Sequence, residues 1–361
     1  MSVERRLRIC LVASSRYPIR EPFAGGLESL THALATELGR RGHRVTLFAA
    51  PGSDPALDVE ELPVPAFHPS PAARRDVNAP SERWMAEHHA YLGLMLGLAR
   101  DGHERYDVVH NNSLHHLPVA MAPALRAPIL TTLHTPPVPW LESAVLLSPG
   151  SSVFAAVSRS MSAAWDHAVP STPVLNGVDV ARWRPGPGGG PAVWSGRIVR
   201  EKAPHEAIDA ARLAGVPLVL AGPVADEAYF AAEIGPRLGP DVVHVGHLDH
   251  RALRRLLGRA SVALVTPAWD EPYGLVAAEA MACGTPVAAY DRGALPEILG
   301  EGTGALAAAG DVPDLARAIL EAQRCDRALV RRHAERHCSL SRMVDDYERL
   351  YLALVDQDVA A

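Results

Sequence analysis

The sequence predicts an α/β protein with two doubly wound parallel sheets, and three observations lead to this fold class. Short apolar or β-branched runs alternate with amphipathic segments, a pattern typical of βαβ units. A stretch rich in proline and glycine interrupts the alternation at residues 181–191, after which it resumes. The chain of 361 residues is also longer than the size at which one hydrophobic core usually stops growing. Two domains are therefore expected.

The first domain is predicted to span residues 1–180. Its opening strand, LRICLVA at 7–13, is followed by a helical pattern from Leu27 to Arg41 and by a second strand from Arg44. Further strands are predicted at 107–110, 127–134, 152–158 and 172–178. Because the connections leave room for crossover helices, these strands are expected to be parallel.

A linker is predicted at residues 181–191 and a second domain at residues 192–338. The strands of the second domain are predicted at 192–197, 216–222, 241–246, 261–267 and 285–290. Residues 339–361 carry apolar positions at helical spacing, which predicts a C-terminal helix returning towards the first domain. Since ligands of parallel sheets bind at the carboxyl ends of strands, the candidate site residues are those that directly follow strands.

Composition and charge exclude several classes of function. The net charge of −6 gives no reason to expect nucleic-acid binding. The four cysteines form no CxxC pair, which suits reduced thiols better than a disulfide framework or a zinc site. The apolar run near the start is too short for a signal peptide, and no segment is apolar for long enough to span a membrane. A cytoplasmic protein is expected, without peripheral membrane contact.

Two glutamates, Glu271 and Glu279, are eight positions apart in a stretch rich in small residues. Proline is favoured in the first helical position, so a helix is predicted to begin at Pro272, with Glu271 at its cap and Glu279 two turns in. The alternative is a plain surface helix with a capping glutamate, which the surrounding alanines disfavour. The first amides of this helix would be unpaired and suited to an anion or to sugar hydroxyls; they belong to Tyr273, Gly274 and Leu275.

Two further groups of residues follow predicted strands. Gly25 and Gly26 precede a helix, where main-chain amides can approach a phosphate closely, although such a turn is also common without function. Arg197 and Lys202 follow the first strand of the second domain and are suited to neutralising a leaving diphosphate. The alternative for these two cations is ordinary solvated charge.

The segment EPYGLVAAEAMACGTPV, residues 271–287, resembles the E-x7-E signature of the family 4 glycosyltransferases, retaining enzymes of the GT-B fold that use nucleotide-activated sugars. The resemblance extends from about Arg8 to Glu321. Other landmarks of the family occur in the same order: AGGLE (24–28), DVVHNNS (107–113), TLHTP (132–136), AVSRS (156–160), VLNGVD (174–179), GRIVREK (196–202) and GALPEI (293–298). Two departures are Ala203, where the family usually has glycine, and Tyr273, where phenylalanine is commoner.

The resemblance implies two Rossmann-like domains that face a central cleft, the first binding the acceptor and the second the nucleotide sugar. It implies that Glu271 and the amides after it hold the transferred sugar and that Glu279 holds the ribose. It also implies roles for five other residues: Arg197 and Lys202 at the diphosphate, Gly25 and Gly26 against the phosphate, and His134 beside the transferred sugar. Leu248 lies in a turn that usually borders the nucleobase in this fold.

No metal or cofactor is expected, because Arg197 and Lys202 can stabilise the charge of the leaving diphosphate. A DxD sequence occurs only at Asp356 and Asp358, in the terminal tail, where it is interpreted as accidental. The histidines at 244, 247 and 250 straddle a strand end and a turn, so a common metal is not expected there. The expected donor is a UDP-hexose, the commonest in the family.

The acceptor is expected to be a small molecule or a saccharide. Trp84 and Trp140 follow proline-rich loops of the first domain and are candidates for an acceptor-binding platform; the alternative is that they are buried loop anchors. Two other functions remain open for this architecture. A nucleotide-sugar 2-epimerase would need acid and base groups around C2 of the sugar, and a non-catalytic protein would bind the nucleotide sugar without turnover.

Overall fold

The computed structural model describes residues 5–62 and 67–360. Contacts divide the chain into two compact units. The first unit contains the described residues of Met1–Val157, Ser162–Val174 and Val344–Ala361. The second unit contains Ser158–Met161 and Leu175–Met343.

The described residues of the first unit form a seven-stranded parallel sheet. Its strands are β1 (Arg8–Val12), β2 (Arg44–Ala49), β3 (Val59–Glu61), β4 (Val108–Asn111), β5 (Ile129–Leu133), β6 (Val153–Ala156) and β7 (Thr172–Pro173). They lie in the order β3-β2-β1-β4-β5-β6-β7, and Cys10 of β1 pairs with Thr46 on one side and Val109 on the other. The central strands β4 and β5 are buried along their whole length, as expected for a parallel sheet covered on both faces.

Helices connect these strands. They are α1 (Gly26–Arg40), α2 (Glu82–Arg105), α3 (Leu117–Ala120), α4 (Pro139–Leu147) and α5 (Arg159–Trp165), with short 3-10 turns at Ala73–Arg75 and Ala122–Ala124. The inner face of α1 is apolar at helical spacing, with Leu30, Leu34 and Leu38 buried. Helix α2 is capped by Ser81, whose hydroxyl oxygen accepts a hydrogen bond from the amide of Trp84.

The second unit repeats this plan with a six-stranded parallel sheet. Its strands are β8 (Ala192–Ser195), β9 (Leu218–Ala221), β10 (Val242–His244), β11 (Ala263–Val265), β12 (Val287–Tyr290) and β13 (Gly304–Ala307). The order β10-β9-β8-β11-β12-β13 reverses direction between β8 and β11, so the loops that follow these two neighbouring strands emerge side by side. Such a reversal is where open parallel sheets bind ligands.

Helices cover both faces of this sheet. They are α6 (Pro204–Leu213), α7 (Glu227–Tyr229), α8 (His250–Arg259), α9 (Leu275–Ala282), α10 (Leu295–Ile298), α11 (Val312–Ala322) and α12 (Arg327–His337), with 3-10 turns at Arg200–Lys202 and Gly235–Arg237 and a π turn at Phe230–Ile234. Helices α6 and α11 pack against each other, and Ile208 and Ile319 share a core cluster with Trp194 of β8. Helix α9 packs against β11, β12, α8, α10 and α12.

The last helix, α13 (Leu340–Ala360), belongs to the first unit from Val344 onward. Tyr351 is fully buried, and its hydroxyl lies 2.6 Å from His110 Nδ1 of β4. Tyr347 is likewise buried, and its hydroxyl lies 3.1 Å from Thr132 Oγ1 of β5. At the helix surface, Glu348 accepts hydrogen bonds from Arg41 and His43.

The predicted fold class, two doubly wound parallel sheets, is confirmed. Strands β3 and β13 were not predicted from the sequence: VEE is only three residues long, and GALA has no β-branched residue. The predicted strand at 172–178 shortens to the two residues of β7, since Asn176 and Gly177 follow closely.

Residues 181–191, predicted as a linker, lie inside the second unit. The amides of Gly186, Gly188 and Gly190 donate to carbonyl oxygens of Cys283, Gly258 and Arg259. A Cβ atom on Gly186 would stand 2.3 Å from the carbonyl oxygen of Gly258. The glycines of this segment therefore permit close backbone packing, and the change of unit comes earlier, between Val174 and Leu175.

Candidate active site

An ion pair lies at the carboxyl edge of the second sheet. Lys202 ends the 3-10 turn that follows β8, and Glu271 stands in the loop that follows β11. Lys202 Nζ is 2.5 Å from Glu271 Oε2, and the two side chains are 25% and 12% exposed. Lys202 Nζ also lies 5.4 Å from the ring centroid of Trp269, a cation–π contact. The order of the strands thus brings together two residues that are 69 positions apart in the chain.

Thr266, the first residue after β11, holds the turn that carries Lys202. Its hydroxyl oxygen is 3.0 Å from the carbonyl oxygen of Lys202 and 3.1 Å from that of Ala203, to which it donates. The same oxygen accepts a hydrogen bond of 3.1 Å from Trp194 Nε1 of β8. Thr266 is almost fully buried, so these bonds are shielded from water. It was not among the predicted site residues.

Ala203 adopts the left-handed conformation, with φ at 43°. Among the described residues it is the one non-glycine position with a positive φ. Glycine adopts this conformation without steric penalty. The turn after Lys202 therefore explains why glycine suits the position at which this sequence has alanine.

The helix that carries Glu279 begins at Leu275, and the prediction that it begins at Pro272 is wrong. Gly274 occupies the N-cap with φ at 96°, so the backbone turns there instead of two residues earlier. Glu271 therefore lies in the preceding loop, and Glu279 lies about one turn into the helix. Helix α9 is buried from Ala277 to Ala282, which excludes the alternative of a surface helix.

Free main-chain donors lie at the start of this helix, and they extend one residue further than predicted. Within residues 5–62 and 67–360, the N–H groups from Tyr273 to Val276 donate to no protein acceptor. The side chain of Tyr273 is buried, 3% exposed, and burial raises the pKa of its hydroxyl well above the usual range. The amide of Tyr273 is therefore free, whereas its ring belongs to the core.

Glu279 is buried, 8% exposed, and its carboxyl makes no hydrogen bond to another described residue. Burial raises the pKa of its carboxyl to about 8, and the positive charge of Arg182 partly opposes this shift. A buried carboxyl without hydrogen-bond donors is costly for the fold. Hydroxyl groups of a ligand would supply the missing donors.

Gly293 fixes the backbone of Glu271 from the loop after β12. With φ at 61°, it lies so close that a Cβ atom would stand 2.4 Å from both the amide nitrogen and the carbonyl oxygen of Glu271. The amide of the next residue, Ala294, donates to that carbonyl oxygen at 2.9 Å. The sequence feature that could have indicated this contact is the glycine at the start of the segment GALPEI.

Two further predicted residues of the second unit are Arg197 and Leu248. Arg197, two positions after β8, is exposed and makes no hydrogen bond or ion pair within the described parts of the chain. Leu248 is half-buried in the turn between β10 and α8. Asp249 caps α8 by accepting a hydrogen bond from the amide of Ala252 at 2.7 Å, which fixes this turn.

In the first unit, the predicted glycines lie at the start of α1: Gly25 is the N-cap and Gly26 the first helical residue. A Cβ atom on Gly25 would stand 3.1 Å from Glu28 Oε2, so glycine leaves room for that buried carboxylate.

His134 directly follows β5, and its Nε2–H donates to Asn112 Oδ1 at 2.7 Å. This bond leaves Nδ1 as the acceptor nitrogen of the ring. Burial lowers the pKa of His134 to about 3, so the imidazole is neutral at physiological pH. Asn112 follows β4, the neighbouring strand, and is a positioning residue that was not predicted. The sequence signal was a polar residue directly after each of two adjacent strands.

Of the two tryptophans, Trp140 is 65% exposed at the start of α4, so it is not a buried loop anchor. Trp84 is half-buried in the first turn of α2 and stacks on His88 with ring centroids 4.9 Å apart.

In the described part of the chain, no group of three or more His, Cys, Asp or Glu side chains is arranged to hold a metal ion. His244 donates its Nε2–H to the carbonyl oxygen of Gly222. The helices within residues 5–62 and 67–360 include none long and apolar enough to cross a membrane.

Two family models match the chain: "Glycosyltransferase Family 4" over residues 24–182 and "Glycosyl transferases group 1" over residues 191–336. A similar protein is the glycogen synthase of Mycobacterium tuberculosis, which is 30% identical over 356 residues. That alignment covers 87% of this chain and 85% of the synthase.

Solved structures share the fold. The Anabaena protein HepE, crystallised with UDP and glucose, superposes with a TM-score of 0.73 at 18% identity, covering 96% of this chain and 100% of HepE. AviGT4, a glycosyltransferase involved in avilamycin A biosynthesis, superposes with a TM-score of 0.71 at 23% identity, covering 97% and 98% of the two chains. These matches identify the chain as a member of glycosyltransferase family 4, a nucleotide-sugar glycosyltransferase with the GT-B fold of two Rossmann-like domains.

Proposed function

We propose that this enzyme is a retaining hexosyltransferase that moves a hexose from a UDP-sugar to an acceptor hydroxyl without a metal ion. The observation that carries the proposal is the arrangement at the reversal of the second sheet. There the loop after β8 supplies Arg197 and Lys202, and the loop after β11 supplies Glu271, which pairs with Lys202 at 2.5 Å.

The roles in the second unit follow from the chemistry of donor cleavage. Breaking the anomeric C–O bond places negative charge on the departing diphosphate, which Arg197, Lys202 and the free amides at the start of α9 stabilise. Glu271 contacts the transferred sugar. Glu279 accepts hydrogen bonds from the ribose hydroxyls, and Leu248 packs on the base.

In the first unit, His134 contacts the transferred sugar, and its neutral imidazole suits hydrogen bonding to a hydroxyl. Gly25 and Gly26 let the backbone approach the phosphate. The choice of UDP is supported by the presence of UDP in the solved HepE structure. The acceptor is a small molecule or a saccharide.

The test is an incubation of the full chain with UDP-glucose, ADP-glucose and GDP-mannose, each with and without EDTA. We expect slow release of UDP from UDP-glucose, unchanged by EDTA, and NMR of the transferred sugar is expected to show the donor's α configuration. Inversion at C2 without nucleotide release would instead indicate an epimerase, and binding without turnover a non-catalytic protein. Loss of activity in EDTA that Mn²⁺ restores would refute metal independence.

The matched variants are Lys202→Ala and Arg332→Ala, the latter removing an exposed cation on α12. Loss of a charge-assisted contact to the leaving group is expected to raise the barrier by about 2 to 4 kcal/mol in Lys202→Ala. Arg332→Ala is expected to turn over like the wild type. Equal rates for the two variants would remove Lys202 from the mechanism.

A further inference from the structure

Five ring side chains of the first unit form a continuous cluster, which we call the Trp–His platform: Trp84, His88, His115, His116 and Trp140. Adjacent ring centroids are 4.9 Å apart for Trp84 and His88, 5.8 Å for His88 and His116, and 5.6 Å for His116 and Trp140. His115 stacks on His116 at 4.4 Å and on buried Tyr91 at 4.5 Å.

The platform lies where the sheet of the first unit is expected to bind ligands. His115 and His116 follow β4, and Trp140 follows β5 at the start of α4. Trp84 and His88 come from the first two turns of α2. The segments that follow β4 and β5, two neighbouring strands, therefore carry three platform residues together with His134, and α2 adds the other two.

Two buried ring nitrogens of the platform, one on His88 and one on His115, lack protein partners in the described residues. His115 Nδ1 accepts a hydrogen bond from the amide of Leu117 at 3.2 Å, so its proton is on Nε2. His115 Nε2 and His88 Nδ1 are both buried, with no hydrogen-bond partner in the described residues. A buried polar nitrogen without a partner lowers the stability of the folded chain by about 1 to 3 kcal/mol. These two nitrogens are free to pair with hydroxyl groups of a ligand.

The platform has one exposed tryptophan and two histidines whose pKa values are lowered. Trp140 is 65% exposed, and His116 beside it is half-buried, with no hydrogen bond to its imidazole from the described residues. Burial, followed by the charges of neighbouring histidines, lowers the pKa of His115 to about 3 and that of His116 below its usual range. The positive charge of Arg16 also lowers the pKa of His115. Arg16 Nε itself lies 3.9 Å from Glu87 Oε1.

We propose that the Trp–His platform binds a neutral sugar ring of the acceptor, an inference that rests on the proposed glycosyl transfer. A sugar ring presents a C–H face that packs on an indole and hydroxyls that pair with imidazole nitrogens. A phosphorylated acceptor would call for cations that make charge-assisted bonds, and the platform contains no lysine or arginine to supply them. A purely aromatic acceptor would leave the imidazole nitrogens unpaired.

The test is calorimetric titration of the full chain with maltotriose, maltose and sucrose, alongside glucose 1-phosphate and p-nitrophenol. The variants are Trp140→Ala and His116→Ala. The control is Leu147→Ala, which removes an 80% exposed apolar side chain from the same helix, α4. Each protein is also titrated with UDP, which reports whether the chain is folded and whether the donor site is intact.

We expect at least one neutral saccharide to bind the wild type and Leu147→Ala equally. Trp140→Ala and His116→Ala should each weaken that binding by about ten-fold or more, with unchanged affinity for UDP. Absence of binding for all three neutral saccharides overturns the proposal, as does tighter binding of glucose 1-phosphate or p-nitrophenol. If Trp140→Ala is misfolded, His116→Ala decides. If only the platform proposal is wrong, the chain still hydrolyses UDP-glucose. If the proposed function is wrong, it does not.

Discussion

At the scale of single residues, the buried carboxyl of Glu279 links the stability of the second unit to pH. Its pKa is about 8 in the folded chain and 4.5 in an unfolded reference. The folded state therefore binds more protons than the unfolded state between these values, and stability falls as pH rises through this window. Below the window both states are protonated, and above it the full cost of the buried charge is present.

Glu279→Gln removes this titration and is expected to stabilise the chain relative to the wild type. The advantage should grow by about 2 to 4 kcal/mol between pH 5 and pH 8, at up to about 1.4 kcal/mol per unit. Urea unfolding at several pH values measures it. Glu227→Gln, at an exposed position, is the control and should follow the wild type. A difference between Glu279→Gln and the wild type that does not change with pH would contradict the assigned burial cost.

The two glutamates are also expected to differ in nucleotide binding. At pH 9, above the pKa of about 8, Glu279→Gln replaces a charged acceptor for ribose and should reduce UDP affinity by about 1.5 to 3 kcal/mol. Glu271→Gln removes the anion that pairs with Lys202, so UDP should bind as tightly or more tightly while kcat falls. Calorimetry with UDP and initial rates with UDP-glucose distinguish the two variants. The reverse pattern would exchange the sugar and nucleotide ends of the site.

At the scale of elements, Arg327 of α12 joins the ends of two other helices. Its guanidinium donates to the carbonyl oxygens of Gly258 and Ala260, at the end of α8, and of Cys283, the C-cap of α9. Cations at helix C-termini are favourable because the last carbonyls lack helical partners. Through α9, this contact helps to hold the helix that carries Glu279.

Arg327→Ala is expected to lower the free energy of unfolding by about 3 kcal/mol, because several half-buried carbonyls lose charged donors. Arg332→Ala, an exposed arginine in the same helix, should change it by less than about 0.5 kcal/mol. Chemical denaturation of both variants provides the comparison. If both variants lose similarly little free energy of unfolding, water replaces the guanidinium at these carbonyl oxygens without cost.

Elements differed in how well the sequence predicted them. Strands β8 and β11 coincide with apolar runs that predict strands directly. Because the two strands are neighbours in the sheet, Lys202 and Glu271 lie on adjacent loops. The start of α9 was misplaced, because the preference of Pro272 for a first helical position was weaker than the left-handed turn at Gly274. Thr266 and Asn112 were missed because each forms a hydrogen bond with a residue that follows a different strand. Patterns within one stretch of sequence do not show such contacts.

At the scale of the whole molecule, the first unit is not continuous in sequence. Its sheet is complete by Pro173, yet the described chain from Val344 onward returns to it after the second unit. Helical spacing in the tail predicted α13, but the polar contacts of Tyr347 and Tyr351 with Thr132 and His110 depend on the folded sheet. The stability of the first unit therefore depends on the end of the chain.

A chain that ends at Met343 is expected to lose the fold of the first unit. Tyr347 and Tyr351 are 1% and 0% exposed, and burial of two such rings contributes up to about 7 to 12 kcal/mol. This is comparable with the total stability of a domain, about 5 to 15 kcal/mol. The loss of Tyr351 also leaves Nδ1 of buried His110 without its partner.

The control is a chain that ends at Asp356, which keeps both tyrosines and the ion pair between Arg5 and Asp356. Thermal unfolding and soluble yield should match the full chain for the control and collapse for the chain that ends at Met343. Because Arg41 and His43 also bind Glu348 in α13, adding residues 344–361 as a separate peptide should partly restore the unfolding transition. If the shorter chain keeps the full transition without the peptide, the sheet of the first unit is stable on its own and α13 contributes little to it.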